Sequence, residues 1–143
     1  ISKAMDIVQS QGTTSPSTSA QYAALAAVST PSPEIAVMRE AFSERRNKLV
    51  HGLRALPGVK CAMPEGAFYA LPDVSAWLGK KAGDRTLRTD EDVAGWLLDT
   101  AQIAVVPGGA FGAPGHLRLS YAVSVEQIEK ALDRIARAVA QLA

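Results

Sequence analysis

The residue best placed to do chemistry is an arginine within an alternating apolar pattern. Arg118 lies between Leu117 and Leu119 in residues 116–121, where apolar and polar side chains alternate. In a strand, this period of two directs the leucines to the core and Arg118 to the opposite face. A guanidinium there can bind a planar carboxylate through two parallel hydrogen bonds. The same pattern also fits a strand arginine that is paired with a surface carboxylate.

A glycine-rich loop, residues 107–115, precedes this strand. Its glycines, Gly108, Gly109, Gly112 and Gly115, do not have the GxGxxG spacing and do not open a predicted helix, so they do not indicate a dinucleotide site. Glycine instead lets the backbone turn and approach a neighbour closely. The sequence therefore predicts a flexible loop beside Arg118.

Composition excludes several classes of function. Fifteen basic and fourteen acidic residues among 143 give a net charge of +1, which indicates neither a nucleic acid nor an anionic membrane as a partner. The single cysteine, Cys61, cannot form an internal disulfide, and no cysteine or histidine cluster has metal-ligand spacing. Short motifs of hydrolases, P-loop enzymes and zinc proteases are absent. We expect a cytoplasmic protein with no metal.

The elements that must position Arg118 follow from periodicity and turn residues. Apolar residues at helical spacing predict four helices and two-residue alternation predicts four short strands, in the order helix, helix, strand, strand, helix, strand, strand, helix. Short connections favour an α/β chain of the two-layer α+β type, with a small mixed or antiparallel sheet covered by helices. The predicted strands are residues 59–62, 67–71, 103–106 and 116–121. Residues 73–88 are expected to form a mobile, solvated connection.

Polar residues mark the predicted helix starts. Thr18 with Gln21, Ser32 before Pro33, Thr89 before three acidic residues, and Ser124 with Gln127 each have the form of a helix cap. The last of these helices extends to about residue 142, and the one after Ser32 to about residue 56. Residues 9–16 are rich in hydroxyl and amide groups and are expected to form a loop.

Three motifs together resemble one family. Residues 9–16, residues 64–69 and residues 105–122 resemble, in order and spacing, the carboxyl-terminal part of class I aminotransferases, the aspartate aminotransferase-like enzymes of fold type I that use pyridoxal 5'-phosphate. The first motif is most similar to the bacterial branch, some members of which also accept prephenate. The resemblance implies that residues 1–30 are the end of a large domain and residues 31–143 the small domain.

The resemblance also implies roles for single residues. It places binding of the substrate α-carboxylate on Arg118 and a position lining the substrate pocket on Phe68, for which a core aromatic is an equal alternative. It gives Thr14 a contact with the active site of the partner subunit in a homodimer. Ser10 stands where some relatives have an arginine that binds the substrate side chain. Lys3 is not expected to be catalytic, although Ser-Lys-Ala surrounds it.

We therefore predict the carboxyl-terminal part of an aminotransferase that exchanges an amino group between an amino acid, aspartate or a related acid, and a 2-oxo acid. The Schiff-base lysine and most groups that bind pyridoxal phosphate are expected upstream, so this chain contains no catalytic residue and is expected to be inactive alone. Two alternatives remain at this point. One is a non-catalytic module that binds a small carboxylate through Arg118, and the other is a dimerisation domain.

Overall fold

The computed structural model describes residues 1–13 and 15–143, which form two compact units, Ile1–Val37 and Met38–Ala143. The first unit contains helix α1 (Ser2–Gly12), helix α2 (Thr18–Ser29) and the first residues of helix α3 (Pro33–Arg54). Neither α1 nor α2 has a buried residue. The domain boundary after residue 30 stays a prediction.

Two local predictions in the first unit are wrong. Helix α1 continues through Gly12, so Gln9 is helical rather than part of a polar loop. Helix α2 is capped by Ser17, whose Oγ accepts a hydrogen bond from the Ala20 backbone N–H at 3.3 Å. Ser17 has the non-helical backbone, with a ψ of 151°, that an N-cap residue requires, and Thr18 is therefore inside the first turn.

The second unit is built on three helices. The carboxyl-terminal half of α3 packs with helix α4 (Asp90–Ala101) and helix α5 (Val125–Val139) around one apolar core. The helices contribute buried aliphatic and aromatic side chains to this core: Leu49, Val50, Leu53, Val93, Trp96, Leu97, Ile128 and Ile135. The predicted caps of α3, α4 and α5 are confirmed, because Ser32, Thr89 and Ser124 each accept a backbone hydrogen bond.

A three-stranded antiparallel sheet carries Arg118 at its centre. Its strands are β1 (Tyr69–Ala70), β4 (Val106–Pro107) and β5 (Leu117–Ser120), in the order β1-β5-β4. The register pairs Val106 with Arg118 and Ala70 with Leu119. The predicted fold class, a small antiparallel sheet with helices, is therefore confirmed.

The strands are shorter than predicted, and residues 59–62 form none. Lys60 alone pairs with Asp73, because Val59 still donates to Leu56 at the end of the preceding turn. The strand predicted to start at residue 103 starts at Val106, because the Ile103 N–H donates to Leu97 and completes the carboxyl end of α4. The N–H groups of Val59 and Ile103 thus bond to the ends of the preceding helical segments, and they are not available for a longer β-ladder.

Residues 73–88 contain regular structure and two buried side chains, so the predicted solvated connection is wrong. They contain a 3-10 helix (Ser75–Trp77) and a hairpin formed by strands β2 (Lys81–Ala82) and β3 (Arg85–Thr86). Trp77 and Leu87 are buried in the core, and the Trp77 indole N–H donates to Pro57 O at 2.8 Å. The polar residues between Trp77 and Leu87 gave this segment the sequence pattern of a solvated loop, so the burial of these two residues was not predicted.

Among the described residues, no helix is both long enough and apolar enough to cross a membrane.

Candidate carboxylate-binding site

Strand β5 places Arg118 on the face opposite the core. Its neighbours Leu117 and Leu119 are buried, whereas Arg118 is half-buried and Ser120 is exposed. Because β5 is the central strand, the Arg118 backbone is held by β4 on one side and by β1 on the other. The alternation read from the sequence therefore gives the correct orientation for this arginine.

Two aromatic rings lie against the Arg118 guanidinium. Its central carbon, Cζ, is 4.6 Å from the centroid of the Tyr69 ring and 4.2 Å from the centroid of the Phe111 ring. Such cation–π contacts favour a charged guanidinium and restrict its position. A ring does not neutralise the charge or occupy the five N–H donors as a carboxylate would, so these donors stay available for an anion.

Arg118 has no ion-pair partner within the part of the chain that the structure describes. The ion pairs there join Lys48 with Glu129, Arg85 with Asp99, and Arg137 with Asp133, all at exposed positions. The alternative of a strand arginine paired with a surface carboxylate is therefore not what the described residues form. The arrangement is instead suited to a carboxylate that comes from outside this set.

Phe68 lies next to this cluster without stacking on the arginine. Its ring centroid is 4.3 Å from that of Tyr69, which itself contacts Arg118, and 41% of Phe68 is exposed. That exposure does not match the alternative of a core aromatic. The position lining a substrate pocket stays a prediction for Phe68.

The loop of residues 62–68 sets the positions of Phe68, its last residue, and of Tyr69, which follows it. The buried Tyr121 hydroxyl donates to Ala67 O at 3.0 Å, and the Tyr121 N–H donates to Phe68 O at 2.9 Å. Arg46 Nη1 donates to Pro64 O at 3.2 Å. Ala67 has a φ of 57°, a left-handed conformation that is unfavourable for a residue with a Cβ atom. The loop is thus held by hydrogen bonds from α3 and from Tyr121, the residue that follows β5.

The glycine-rich loop also has a regular turn held by hydrogen bonds, and its predicted flexibility stays a prediction. It forms a 3-10 helix (Gly108–Phe111), and its ends are joined by hydrogen bonds from the Gly108 N–H to His116 O at 2.8 Å and from the Ala113 N–H to Gly108 O at 3.0 Å. The buried Asp90 side chain accepts two further hydrogen bonds from this loop. Phe111, at the end of the turn, is thereby placed against Arg118.

Sequence reasoning missed Tyr69, Phe111 and Asp90. A lone aromatic residue among glycines, as at Phe111, is a usable signal for a contact role in a loop. The acidic first turn of α4 gave no sign that one of its carboxylates is buried. The face of the sheet on which Tyr69 lies depends on the register between β1 and β5, which pairs Tyr69 with Ser120.

The remaining predicted positions lie elsewhere or are not described. Thr14 is outside the described residues, so its contact with a partner subunit stays a prediction. Lys3 is exposed on α1, and the Ser10 hydroxyl on the same helix donates to Ile7 O at 2.8 Å. Both residues belong to the first unit, and the Arg118 cluster belongs to the second.

The described residues do not fit pyridoxal phosphate. A lysine that binds this cofactor must be enclosed with it so that its amine can lose a proton, whereas every lysine among residues 1–13 and 15–143 is exposed. The cation beside the aromatic rings is an arginine, which suits a substrate carboxylate. The chemistry that these residues support is therefore carboxylate binding.

The chain is similar over nearly its whole length to known aminotransferases. Residues 1–135 match the family described as Aminotransferase class I and II. The chain is 43% identical over 141 residues to an aspartate aminotransferase of Rhizobium meliloti (strain 1021), covering 98% of this chain and 34% of the relative. It is 46% identical over 134 residues to an aspartate/prephenate aminotransferase of Cereibacter sphaeroides, covering 93% and 34%.

Solved structures agree with these sequence matches. The crystal structure of the aspartate aminotransferase from Rhizobium meliloti superposes with a TM-score of 0.83 and 42% identity, covering 99% of this chain and 36% of that one. The aspartate aminotransferase from Thermus thermophilus with maleate gives a TM-score of 0.69 and 45% identity, covering 95% of this chain and 34% of that one. The chain spans about a third of the length of these relatives.

Proposed function

This chain belongs to the class I and II aminotransferase family, and from that premise we propose that the protein containing it transfers an amino group between an amino acid and a 2-oxo acid. The contribution of this chain is Arg118, which binds the substrate α-carboxylate. One observation carries the proposal: a half-buried guanidinium lies against Tyr69 and Phe111 and has no carboxylate partner among the described residues.

The proposed role of Arg118 is to hold the substrate in one orientation. Two parallel hydrogen bonds to a carboxylate fix both the position and the plane of that group. The bond from the α-carbon to its proton is then held in the direction that the reaction requires. An arginine that contacts two rings has fewer positions available before the substrate binds, so less freedom is lost on binding.

Pyridoxal phosphate is the cofactor that the family implies, and it supplies the electron sink for chemistry at the α-carbon of an amino acid. Since the described residues do not fit it, we place the cofactor and its lysine in the remaining part of the protein. The proposed division of roles is that this chain binds the substrate carboxylate and the remainder binds the cofactor.

The proposed substrate is aspartate or a related acid, and the proposed assembly is a homodimer. Relatives named aspartate aminotransferase and aspartate/prephenate aminotransferase support the substrate class. In the first unit, apolar residues of all three helices are exposed, which supports burial against protein outside this chain: Met5, Ile7, Val8, Tyr22, Leu25, Val28, Ile35 and Val37. Thr14 remains the proposed contact with the partner subunit.

Replacing Arg118 in the full-length protein tests this function. Arg118→Lys keeps the charge but loses the planar fork, and Arg118→Ala loses both. Removing one partner of a buried, hydrogen-bonded charge pair costs about 2–5 kcal/mol, so Arg118→Ala is expected to lower kcat/KM for aspartate by about 30-fold to several thousand-fold. Steady-state kinetics with aspartate and 2-oxoglutarate measure the change.

Arg85→Lys is the matched control, because Arg85 is exposed and forms a surface ion pair with Asp99. It is expected to leave kcat/KM within about twofold, since exposed pairs contribute little. If the two lysine variants have the same kcat/KM, Arg118 does not bind the substrate carboxylate. If the full-length protein has no aminotransferase activity with any amino acid, the proposed reaction itself is wrong.

A further inference from the structure

Asp90 is the one charged side chain buried within the part of the chain that the structure describes, and it contacts the glycine-rich loop rather than a cation. It is the first residue of α4 and is 4% exposed. Its Oδ2 accepts a hydrogen bond from the Gly109 N–H at 2.7 Å, and its Oδ1 accepts one from the Gly115 N–H at 3.4 Å. One carboxylate therefore joins two points of the loop that are six positions apart in sequence.

The surroundings keep this carboxylate ionised. Burial raises the pKa of Asp90, but hydrogen bonds from backbone N–H groups, those of Gly109 and Gly115 among them, outweigh burial and lower the pKa below its ordinary value. The position of Asp90 in the first turn of α4 adds the favourable field of the helix N-terminus. At neutral pH the side chain is thus an acceptor on both oxygens.

The glycines at the two ends of the loop are closely packed. A Cβ atom on Gly108 would overlap Ala113 O and lie 2.7 Å from His116 O, and one on Gly109 would lie 3.3 Å from Asp90 Oδ2. Gly115 has a φ of 77°, and a Cβ there would lie 2.5 Å from Ser75 Oγ. The turn therefore packs against backbone at Gly108 and against the side chains of Asp90 and Ser75 at Gly109 and Gly115.

The fixed turn ends at the ring that contacts the substrate-binding arginine. Phe111 is the last residue of the 3-10 helix, and its ring centroid is 4.2 Å from Arg118 Cζ. Phe111 is half-exposed, so burial of its own side chain does not account for its position. Its place is set by the backbone of the turn, and that backbone is held by Asp90.

We propose that Asp90 is a positioning residue for Arg118, acting through the glycine-rich loop and the Phe111 ring. The inference rests on the proposed function, because it assigns Asp90 a part in binding the substrate carboxylate. Asp90 does not touch the substrate. It keeps Phe111 where the ring restricts the guanidinium, so that the two N–H donors face the carboxylate before it arrives.

The test is a double-mutant cycle in the full-length enzyme, with kcat/KM for aspartate measured for wild type, Asp90→Asn, Arg118→Ala and the double variant. Asparagine keeps one acceptor oxygen but directs an NH₂ donor at a backbone N–H, so one anchor of the loop is lost. Asp90→Asn alone is expected to lower kcat/KM by about 2- to 30-fold, the range of a cation–π contact, chiefly through KM. In the Arg118→Ala background, the same change is expected to have an effect below about twofold.

Asp92→Asn is the matched control, because Asp92 is in the same acidic turn but accepts hydrogen bonds from Thr89 and Arg88 rather than from the loop. It removes the same charge from the same helix end and is expected to leave KM for aspartate within about twofold. An equal rise in KM for Asp90→Asn and Asp92→Asn would overturn the proposal, since the effect would then belong to the helix and not to the loop.

Phe111→Leu tests the same route from Asp90 to Arg118 without changing the buried carboxylate. Because Phe111 is half-exposed, we expect this substitution to lower the stability of the protein only slightly. Maleate is the probe, and its Kd is measured by isothermal titration calorimetry on the full-length enzyme. Phe111→Leu is expected to weaken maleate binding by about 2- to 30-fold. Unchanged affinity in Phe111→Leu would overturn the proposal.

The cycle separates failure of this inference from failure of the proposed function. If Arg118→Ala lowers kcat/KM and the Asp90 effect is equally large in both backgrounds, the function stands and the positioning role is wrong. If Arg118→Ala leaves kcat/KM unchanged, the carboxylate-binding function is wrong and the positioning role fails with it.

Discussion

Two loops bring aromatic rings to Arg118, and they are held in different ways. Residues 62–68 lead into Tyr69 and are fixed by the hydroxyl of Tyr121 and by an arginine side chain, both bonding to backbone carbonyls. Residues 107–115 contain Phe111 and are fixed by the Asp90 carboxylate, which accepts from backbone N–H groups. The side chains that hold the first loop are thus donors, whereas a buried acceptor, Asp90, bonds the second loop at two backbone N–H groups.

The difference indicates how strongly each loop is held in one conformation. A hydrogen bond to an ionised group contributes more than one between neutral groups, and losing its partner leaves buried N–H groups unsatisfied. The glycine-rich loop also has positions that admit no side chain, whereas the other loop places an alanine in a left-handed conformation. We expect changes in residues 107–115 to have larger effects than equivalent changes in residues 62–68.

The largest effect is expected from Gly108→Ala. The added Cβ would overlap Ala113 O and crowd His116 O, both backbone atoms that cannot move without shifting the turn and the start of β5. Overpacking of this kind lowers the free energy of unfolding by about 1–3 kcal/mol. Because the start of β5 would also shift, we expect Gly108→Ala to lie at the upper end of that range. Thermal unfolding of the full-length protein is expected to show a lower Tm, together with a higher KM for aspartate.

Gly112→Ala is the matched control in the same loop. Gly112 has a φ of 73° but open space where a Cβ would lie, so only backbone strain of about 1–2 kcal/mol is expected. Its Tm should fall less than that of Gly108→Ala. Equal losses of Tm in the two variants would mean that conformation alone, and not the close approach of the backbone, specifies this loop.

A smaller effect is expected from Tyr121→Phe, which tests the other loop. Tyr121 is buried, and its hydroxyl donates to Ala67 O. Because Ala67 is exposed, water can replace the lost donor, and the expected cost is about 0.5–1.5 kcal/mol. Tyr22→Phe, at an exposed position of α2, is the control and is expected to leave the Tm unchanged. A KM change as large as that of Gly108→Ala would contradict the proposed difference between the loops.

The helices could be predicted from the sequence because their determinants are local. The apolar spacing that defines α5 and the caps at Thr89 and Ser124 involve residues three or four positions apart. The strands could not be placed as well, since β1 and β4 are two-residue pairings whose extent depends on β5 and on neighbouring helix ends. In residues 73–88, the buried Trp77 and Leu87 were hidden by the polar residues between them.

The candidate site shows the same limit. Alternation in β5 identified Arg118 because the signal lies within one strand. Asp90 and Gly109 are 19 positions apart, and no pattern in either segment indicates that they meet. Glycine predicted freedom in residues 107–115, whereas the structure uses glycine for close contact with backbone and with Asp90. Local chemistry is therefore visible in the sequence, and the groups that hold it in place are not.

The smallest effect, and one of opposite sign, is expected from Ala67→Gly. The left-handed conformation of Ala67 costs about 1–2 kcal/mol that glycine does not incur, whereas glycine adds about 0.5–1 kcal/mol of backbone entropy to be lost on folding. The net expectation is a gain between zero and about 1.5 kcal/mol and a slightly higher Tm. Ala62→Gly, in the same loop but without a positive φ, is expected to lower the Tm. If both variants lower it, the conformation of Ala67 is not a source of strain, and residues 62–68 are as closely specified as residues 107–115.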